Sequence, residues 1–106
     1  MSQKILFVCR SNTGRSQVAA ELYNMETGPK NASSAGTKVD NNFPTVKSRP
    51  NSQPMLDAAH KYGIDISNNV RIQLRAEDID NYDKIIVMAE AENIPAWLSQ
   101  HPKCQY

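Results

Sequence analysis

The sequence predicts an α/β domain: a three-layer sandwich with a small parallel sheet and helices on both faces. Two short apolar runs, at 4–8 and 84–88, are rich in β-branched residues and indicate buried strands. Elsewhere apolar residues recur at helical spacing. Strands that alternate with helices are typical of parallel sheets built from right-handed βαβ units. With 106 residues, the chain is expected to form one domain over 1–106.

The first strand and the first helix are the clearest elements. Polar residues bound the strand at 4–8 on both sides. From Arg15 onward, apolar residues such as Val18 and Leu22 recur on one side of a helix. Gly28, followed by a proline, ends that helix. Strand, short polar loop and helix therefore follow one another directly.

Apart from the strand at 84–88, the later elements are predicted from weaker patterns. A helix is predicted with Ser52 as its cap, Pro54 in its first turn and Gly63 at its end. The full prediction, in chain order, is a strand at 32–35, a surface loop at 36–50, this helix, an irregular stretch at 68–74, a helical turn at 76–79, a strand at 84–88 and a helix at 91–100.

Charge and composition argue against several classes of function. Twelve basic residues against eleven acidic ones leave a formal charge of +1, and the basic residues are scattered, so no nucleic-acid partner is expected. The longest apolar run, at 5–9, has five residues, so no membrane span is expected. The amino terminus lacks the features of a secretory signal, and we expect a cytoplasmic protein. The two histidines stand alone, so neither a metal site nor a cofactor is expected.

The polar loop between the first strand and the first helix carries the chemistry. Its residues are small or polar, and their N–H groups can converge on an anion near the start of the helix. Cys9 at its base is a candidate nucleophile, Arg15 a two-pronged clamp for phosphate oxygens, and Ser16 a hydroxyl donor to the sulfur. The alternative is that Cys9 is a buried structural thiol and Arg15 a solvated helix residue. The candidate phosphate-binding loop consists of Arg10, Ser11, Asn12, Thr13 and Gly14.

Five segments resemble the low-molecular-weight protein tyrosine phosphatase superfamily, which includes thiol-dependent arsenate reductases. They are FVCRSNTGRS at 7–16, AAE at 19–21, SAGT at 34–37, GIDIS at 63–67 and YDKIIVM at 82–88. The resemblance implies attack of Cys9 on a phosphate monoester, a phosphocysteine intermediate, and hydrolysis of that intermediate by water. It also implies that Asn12 shapes the phosphate-binding loop, called the cradle below, and that Ser16 supports the thiolate of Cys9.

The resemblance suggests two further roles. Phe43 lies where the family tends to place an aromatic wall for the substrate ring, although such a residue can equally fold back onto the core. Asn68 and Asn69 occupy a region where relatives often have a histidine that buttresses the loop asparagine. The partners implied are a phosphorylated protein or a small phosphate ester, with inorganic phosphate or a similar oxyanion bound in the loop.

Three departures from the family pattern bear on activity. The family's general acid, an aspartate in a carboxyl-terminal Asp-Pro pair, has no counterpart in the sequence. Gly14 stands where many members carry a second cysteine, just before the loop arginine. The strand at 85–88 lacks the additional cysteines that thioredoxin-linked arsenate reductases need nearby, and Cys104 alone does not complete a three-thiol relay.

The sequence therefore predicts a phosphomonoester hydrolase, with phosphotyrosine as the first choice of substrate. Phosphoarginine and small esters stay open as substrates. Two alternatives also stay open: an arsenate reductase that uses external thiols, and a non-catalytic domain that binds phosphate or phosphopeptides.

Overall fold

A computed structural model describes residues 4–28, 31–39 and 42–105. Within these residues, four parallel strands form the central sheet: β1 (Ile5–Cys9), β2 (Ala32–Gly36), β3 (Lys84–Val87) and β4 (Cys104–Gln105). Their order across the sheet is β2-β1-β3-β4. Because β1 lies between β2 and β3, the chain leaves β1 toward one neighbour and later returns on its other side. The carboxyl end of β1 is thus the switch point at which such sheets bind ligands.

In the described part of the chain, three α-helices and two 3-10 helices connect the strands. They are α1 (Arg15–Thr27), α2 (Gln53–His60), α3 (Ala96–Ser99), and the 3-10 helices Ala76–Asn81 and Ala91–Asn93. The predicted first strand and first helix are confirmed. Within the described residues, no helix combines the length and apolar character needed to cross a membrane.

The side chains of β1 alternate between two packed layers. Leu6 and Val8 join a buried cluster with Ile79 of the first 3-10 helix and Leu98 of α3. Phe7 points the other way, and the centroid of its ring lies 6.1 Å from the ring centroid of Tyr23 on α1. Since successive strand residues face opposite sides of a sheet, helices cover both faces. The predicted three-layer α/β architecture is therefore confirmed.

A second buried cluster lies between α2 and the segments that flank it. Its buried members are Val46, Leu56, Ala59, Ile64 and Ile66. The predicted surface loop at 36–50 is anchored here, because Val46 is fully buried and Thr45 forms an antiparallel bridge with Val70. The part of this loop around Thr45 and Val46 is therefore anchored to the rest of the fold, and residues 40 and 41 of the predicted loop lie outside the described residues.

The end of the chain departs from the prediction. The expected helix at 91–100 is wrong: a 3-10 helix and the four-residue α3 replace it, separated by Pro95. Proline removes one backbone N–H and disfavours helical geometry in the residue before it, so the chain restarts at Pro95 with extended dihedrals. The two-residue β4 had no sequence signal. Ser52 occupies the N-cap position of α2, but its side chain makes no capping hydrogen bond.

Candidate active site

Cys9 and Arg15 occupy the two ends of the loop that joins β1 to α1. Cys9 is the last residue of β1 and is buried, while Arg15 is the first residue of α1 and is exposed. Neither Cys9 nor Cys104 is in a disulfide. The loop therefore places a free thiol at the carboxyl edge of the sheet, below the start of a helix.

The loop backbone is oriented by hydrogen bonds to its carbonyl groups. The donors to the carbonyls of residues 9, 10, 11 and 12 are, in that order, Thr37 N at 2.9 Å, Lys38 N at 2.8 Å, Arg71 Nε at 3.1 Å and Gln17 Nε2 at 3.2 Å. Among the described residues, no N–H group from Ser11 to Gly14 donates a hydrogen bond, and the first helix N–H with an acceptor is that of Val18, which donates to Gly14 O. Unpaired N–H groups beside a helix N-terminus form a receptor for an anion.

Asn12 holds the turn of the loop. Its φ of 53° lies in the left-handed region, which asparagine tolerates better than most residues. The side chain is fully buried, and its amide makes four hydrogen bonds. Nδ2 donates to Ser16 Oγ and Ser34 Oγ, both at 2.9 Å, and Oδ1 accepts from Ile72 N at 2.8 Å and Gln17 Nε2 at 3.1 Å.

These bonds also orient the hydroxyl of Ser16. Its oxygen lies 3.0 Å from Cys9 Sγ and accepts a hydrogen from Asn12 Nδ2. A thiolate has no hydrogen to donate, so when Cys9 is ionised the Ser16 hydroxyl is the donor in this contact. Ser16 is buried beside Cys9, so this hydrogen bond is shielded from water.

A glutamine relays support to Asn12 from a distant segment. Gln17 Nε2 donates to Asn12 Oδ1, and Gln17 Oε1 accepts from Asn69 Nδ2 at 3.0 Å. The resemblance suggested that Asn68 or Asn69 buttresses the loop asparagine. The structure connects Asn69 to Asn12 through the two hydrogen bonds of Gln17, whereas Asn68 is exposed. The part played by Gln17 was not predicted.

Arg15 has an acidic neighbour at the rim. Its Nη1 lies 3.7 Å from Glu90 Oε1, and both side chains are about half exposed. The pKa of Glu90 is lowered, first by a hydrogen bond from its own backbone and then by the positive charge of Arg15. Because this ion pair is exposed to solvent, it is weak, and the Arg15 guanidinium stays available to an anion in the cradle.

A cavity of about 250 Å³ opens over Cys9. Its lining is Cys9, Ser11, Thr13, Gly14, Arg15, Arg49, Asn51, Ser52 and Met55. Five of these were expected from sequence, whereas the four from the segment before α2 and its first turns were missed. That segment has no periodicity to draw attention to it. Within the described residues, no three His, Cys, Asp or Glu side chains lie close enough to hold a metal ion.

The other predicted site residues lie around this cavity rather than in its lining. Asn12 and Ser16 are buried behind it, and Arg10 is exposed to solvent. Phe43 is half-buried, and its carbonyl accepts from Arg71 Nη1 at 2.8 Å. Its part as an aromatic wall stays a prediction. A second, apolar cavity of about 300 Å³ between α1 and α2 shares Arg15 and Met55 with the first.

Comparisons with known proteins agree with this geometry. A sequence model described as Low molecular weight phosphotyrosine protein phosphatase matches residues 4–104. The comparison with curated proteins found no match.

Three solved structures illustrate the similarity. A low molecular weight protein tyrosine phosphatase from T. tengcongensis is 31% identical with a TM-score of 0.70, covering 98% of this chain and 72% of that one. Vibrio vulnificus Wzb in complex with benzylphosphonate is 25% identical with a TM-score of 0.75, covering 99% and 73%. The YwlE arginine phosphatase from Geobacillus stearothermophilus is 28% identical with a TM-score of 0.62, covering 81% and 52%.

The family match covers almost the whole chain, and the loop that sequence reasoning singled out is the one over which the cavity opens. The chain belongs to the low molecular weight phosphotyrosine protein phosphatase family, whose members are cysteine-dependent phosphatases.

Proposed function

We propose that this protein hydrolyses phosphomonoesters through a phosphocysteine formed on Cys9. The observation that carries the proposal is the buried Cys9 sulfur, 3.0 Å from the Ser16 hydroxyl, beside a loop in which the carbonyls of residues 9 to 12 accept hydrogen bonds from other groups. N–H groups aimed at one point stabilise the charge that develops on the phosphate oxygens during transfer.

In the first step, the phosphate occupies the cradle and competes with Glu90 for Arg15. The planar guanidinium then holds two phosphate oxygens, which a lysine does not do with the same geometry. The Cys9 thiolate attacks phosphorus, so that an S–P bond forms and the P–O bond to the leaving group breaks. The leaving oxygen takes a proton from water or from an acid.

The supply of that proton favours particular substrates. Among the described residues, none of the nine that line the cavity is an Asp or a Glu. Loss of a general acid typically lowers the rate about 10²- to 10⁴-fold, most severely for poor leaving groups. We therefore expect aryl phosphates, whose leaving oxygens need little protonation, to react fastest.

In the second step, water attacks the phosphocysteine and releases inorganic phosphate and the Cys9 thiolate. The Ser16 hydroxyl oxygen lies 3.0 Å from Cys9 Sγ, and the hydroxyl stabilises the departing thiolate by donating a hydrogen bond to it. Asn12 supports this step indirectly by fixing the orientation of Ser16.

Phosphotyrosine in a protein is the substrate that we propose. The relative from T. tengcongensis is a tyrosine phosphatase, and the one from Geobacillus stearothermophilus is an arginine phosphatase. A comparison of kcat/KM on one peptide carrying either phosphotyrosine or phosphoarginine tests the choice. A higher kcat/KM for the phosphoarginine peptide would mean that phosphoarginine, and not phosphotyrosine, is the substrate.

The test of catalysis uses para-nitrophenyl phosphate with two cysteine variants. Cys9→Ser should lower turnover by about 10³-fold or more, because a serine hydroxyl is a poor nucleophile without a nearby base. Cys104→Ser is the matched control and should retain turnover, because Cys104 lies on β4, which β3 separates from β1 and its loop. Turnover by Cys9→Ser equal to that of the wild type would refute the assignment.

A phosphate-binding domain without turnover is the second candidate. It is favoured by the lack of a carboxylate in the described cavity lining. In that case, phosphate raises the thermal stability while no ester is hydrolysed. Arsenate reduction with an external thiol is distinguished by measuring arsenite formation with glutathione or thioredoxin.

The working environment that we infer is a reducing one such as the cytoplasm. A nucleophilic thiol must stay reduced, and both cysteines are free. A phosphorylated protein or small ester is then the transient partner, and inorganic phosphate is the product that occupies the loop.

A further inference from the structure

A second guanidinium faces the cradle from the segment that precedes α2. Arg49 lines the same cavity as Cys9 and Arg15. Its Nη1 donates to Ser11 Oγ at 3.4 Å and to Thr13 Oγ1 at 3.3 Å. These distances are at the long end for hydrogen bonds, so both contacts are weak. The guanidinium is near the phosphate-binding loop without being tightly bound to it.

The charge of Arg49 has no acidic partner among the described residues. Arg15 is paired with Glu90, and Arg75 lies beside two carboxylates. No carboxylate lies within ion-pair distance of Arg49, although its side chain is half-buried. A partly desolvated cation without a counter-charge makes the potential of the cavity positive and attracts an anion.

The backbone of Arg49 is held by the segment around Val70. Val46 N donates to Asn69 O and Lys47 N to Ser67 O, both at 3.0 Å. Arg49 N donates to Val46 O at 3.3 Å, which continues the turn. The side chain therefore starts from a defined position, which lowers the entropy that binding would cost.

The hydroxyl groups next to Arg49 extend its effect toward the cradle. Ser11 Oγ and Thr13 Oγ1 both accept from Arg49 Nη1, and the two hydroxyl oxygens lie 3.2 Å apart. Both residues line the cavity, where their hydroxyl groups can donate to a bound anion beside the guanidinium.

We infer that Arg49 selects substrates that carry a second acidic group beside the scissile phosphate. Arg15 and the loop N–H groups hold the phosphate, and Arg49 binds the additional carboxylate or phosphate from the segment that precedes α2. The inference rests on the proposed phosphatase activity and adds a substrate class to it: phosphomonoesters with a neighbouring anionic group.

The experiment compares two substrate pairs whose members differ in a second negative charge, and the change of each ratio between variants isolates the contribution of Arg49. One pair is a phosphotyrosine peptide with Glu or Gln on both sides of the phosphotyrosine. The other is phenyl phosphate and 2-carboxyphenyl phosphate. The ratio of kcat/KM within each pair is measured for the wild type, Arg49→Gln, Arg49→Lys and Lys61→Gln. Lys61 is exposed at the end of α2, so its variant controls for the loss of one positive charge.

We expect the wild type to prefer the acidic member of at least one pair by roughly fivefold, as for one charge-assisted contact that is partly exposed to solvent. Arg49→Gln should bring that ratio close to one, Arg49→Lys should keep part of it, and Lys61→Gln should keep all of it. The pair that shows the preference distinguishes a peptide source of the second charge from a small-molecule source.

Two outcomes would overturn the inference. One is a wild type without preference in either pair, or with a preference that Arg49→Gln leaves intact. The other is an equal loss on all four substrates in Arg49→Gln, which would mean that Arg49 only supports the loop. Wild-type turnover of para-nitrophenyl phosphate is measured in parallel, because its absence would contradict the proposed function itself.

Discussion

Asn12 is the residue on which the geometry of the cradle depends most. It combines a left-handed backbone with a fully buried amide whose four hydrogen bonds reach α1, β2 and the segment at 72. An amide can donate twice and accept twice, so every hydrogen-bonding position of this side chain is used. No other natural side chain supplies this pattern in the same volume.

Replacing Asn12 by Ala should therefore reduce both stability and turnover. The variant leaves the Ile72 N–H without its acceptor, and we expect a loss of about 2–4 kcal/mol in the free energy of unfolding by urea. Asn51→Ala is the matched control, because Asn51 also has a positive φ of 65° but is exposed. Equal losses in the two variants would show that the cost lies in the backbone and not in the hydrogen bonds.

Gly14 leaves Cys9 without a nearby thiol. A Cβ at position 14 would collide with the Met55 side chain, whose Sδ would lie 2.8 Å from it. Cys104 is in register with Ile85, which is in register with Leu6, and it lies two strands from β1. Strands are about 4.8 Å apart, which together with the offset along the sheet exceeds the reach of a disulfide.

Excess peroxide should consequently oxidise Cys9 beyond sulfenic acid. We expect a loss of activity that dithiothreitol does not reverse, and a mass increase of two or three oxygen atoms on the peptide containing Cys9. Cys104→Ser should respond like the wild type. Full recovery of activity after dithiothreitol would contradict the prediction and point to a thiol partner.

At the scale of elements, the end of β2 and the phosphate-binding loop are in backbone contact. A Cβ on Gly36 would lie 2.7 Å from Arg10 O and 2.9 Å from Asn12 N. Gly36 also connects β2 to the segment at 72–74, because its N–H donates to Ile72 O and its carbonyl accepts from Leu74 N, both at 2.8 Å. The absence of a side chain at this position allows the cradle to rest on the sheet.

Gly36→Ala should displace the loop and weaken phosphate binding. Overpacking against backbone atoms costs about 1–3 kcal/mol in the free energy of unfolding, and the displaced N–H groups should raise KM for para-nitrophenyl phosphate several-fold. Gly63→Ala is the control: its φ of 74° strains an alanine, but nothing lies within 4 Å of the added Cβ. Gly63→Ala should lose stability with KM unchanged. An unchanged KM in Gly36→Ala would contradict the prediction.

At the scale of the whole molecule, ligand binding and folding are linked through the cradle. The loop is built by groups from β1, α1, β2 and the segment at 69–72, so it exists only in the folded chain. An anion that binds only the folded state raises the free energy of unfolding by RT ln(1 + [L]/Kd).

Phosphate should therefore raise Tm in proportion to the logarithm of its concentration. At one hundred times Kd the stabilisation is about 2.7 kcal/mol. Cys9→Ser should keep this effect, because backbone N–H groups make most of the contacts, and Arg15→Ala should reduce it. Sodium chloride at equal ionic strength is the control. A Tm that phosphate does not change would contradict the existence of the cradle.

The elements that sequence predicted best are those made by neighbouring residues. The strand at 4–8, the polar loop and α1 are continuous in the chain, and their periodicity and turn residues act over a few positions. The helix predicted at 91–100 failed for a local reason as well, since Pro95 interrupts it. The alternation of strands and helices predicted a parallel sheet but not the order of its strands.

The sequence by itself determined the α/β class, the loop between β1 and α1, and the pairing of a cysteine with an arginine across that loop. Only the tertiary structure decided how the loop is held and what faces it. Arg49, Arg71 and Asn69 act on the loop or on the start of α1 from 38, 60 and 52 positions away. Contacts over such separations arise from packing of the whole chain and leave no periodic signal in the sequence.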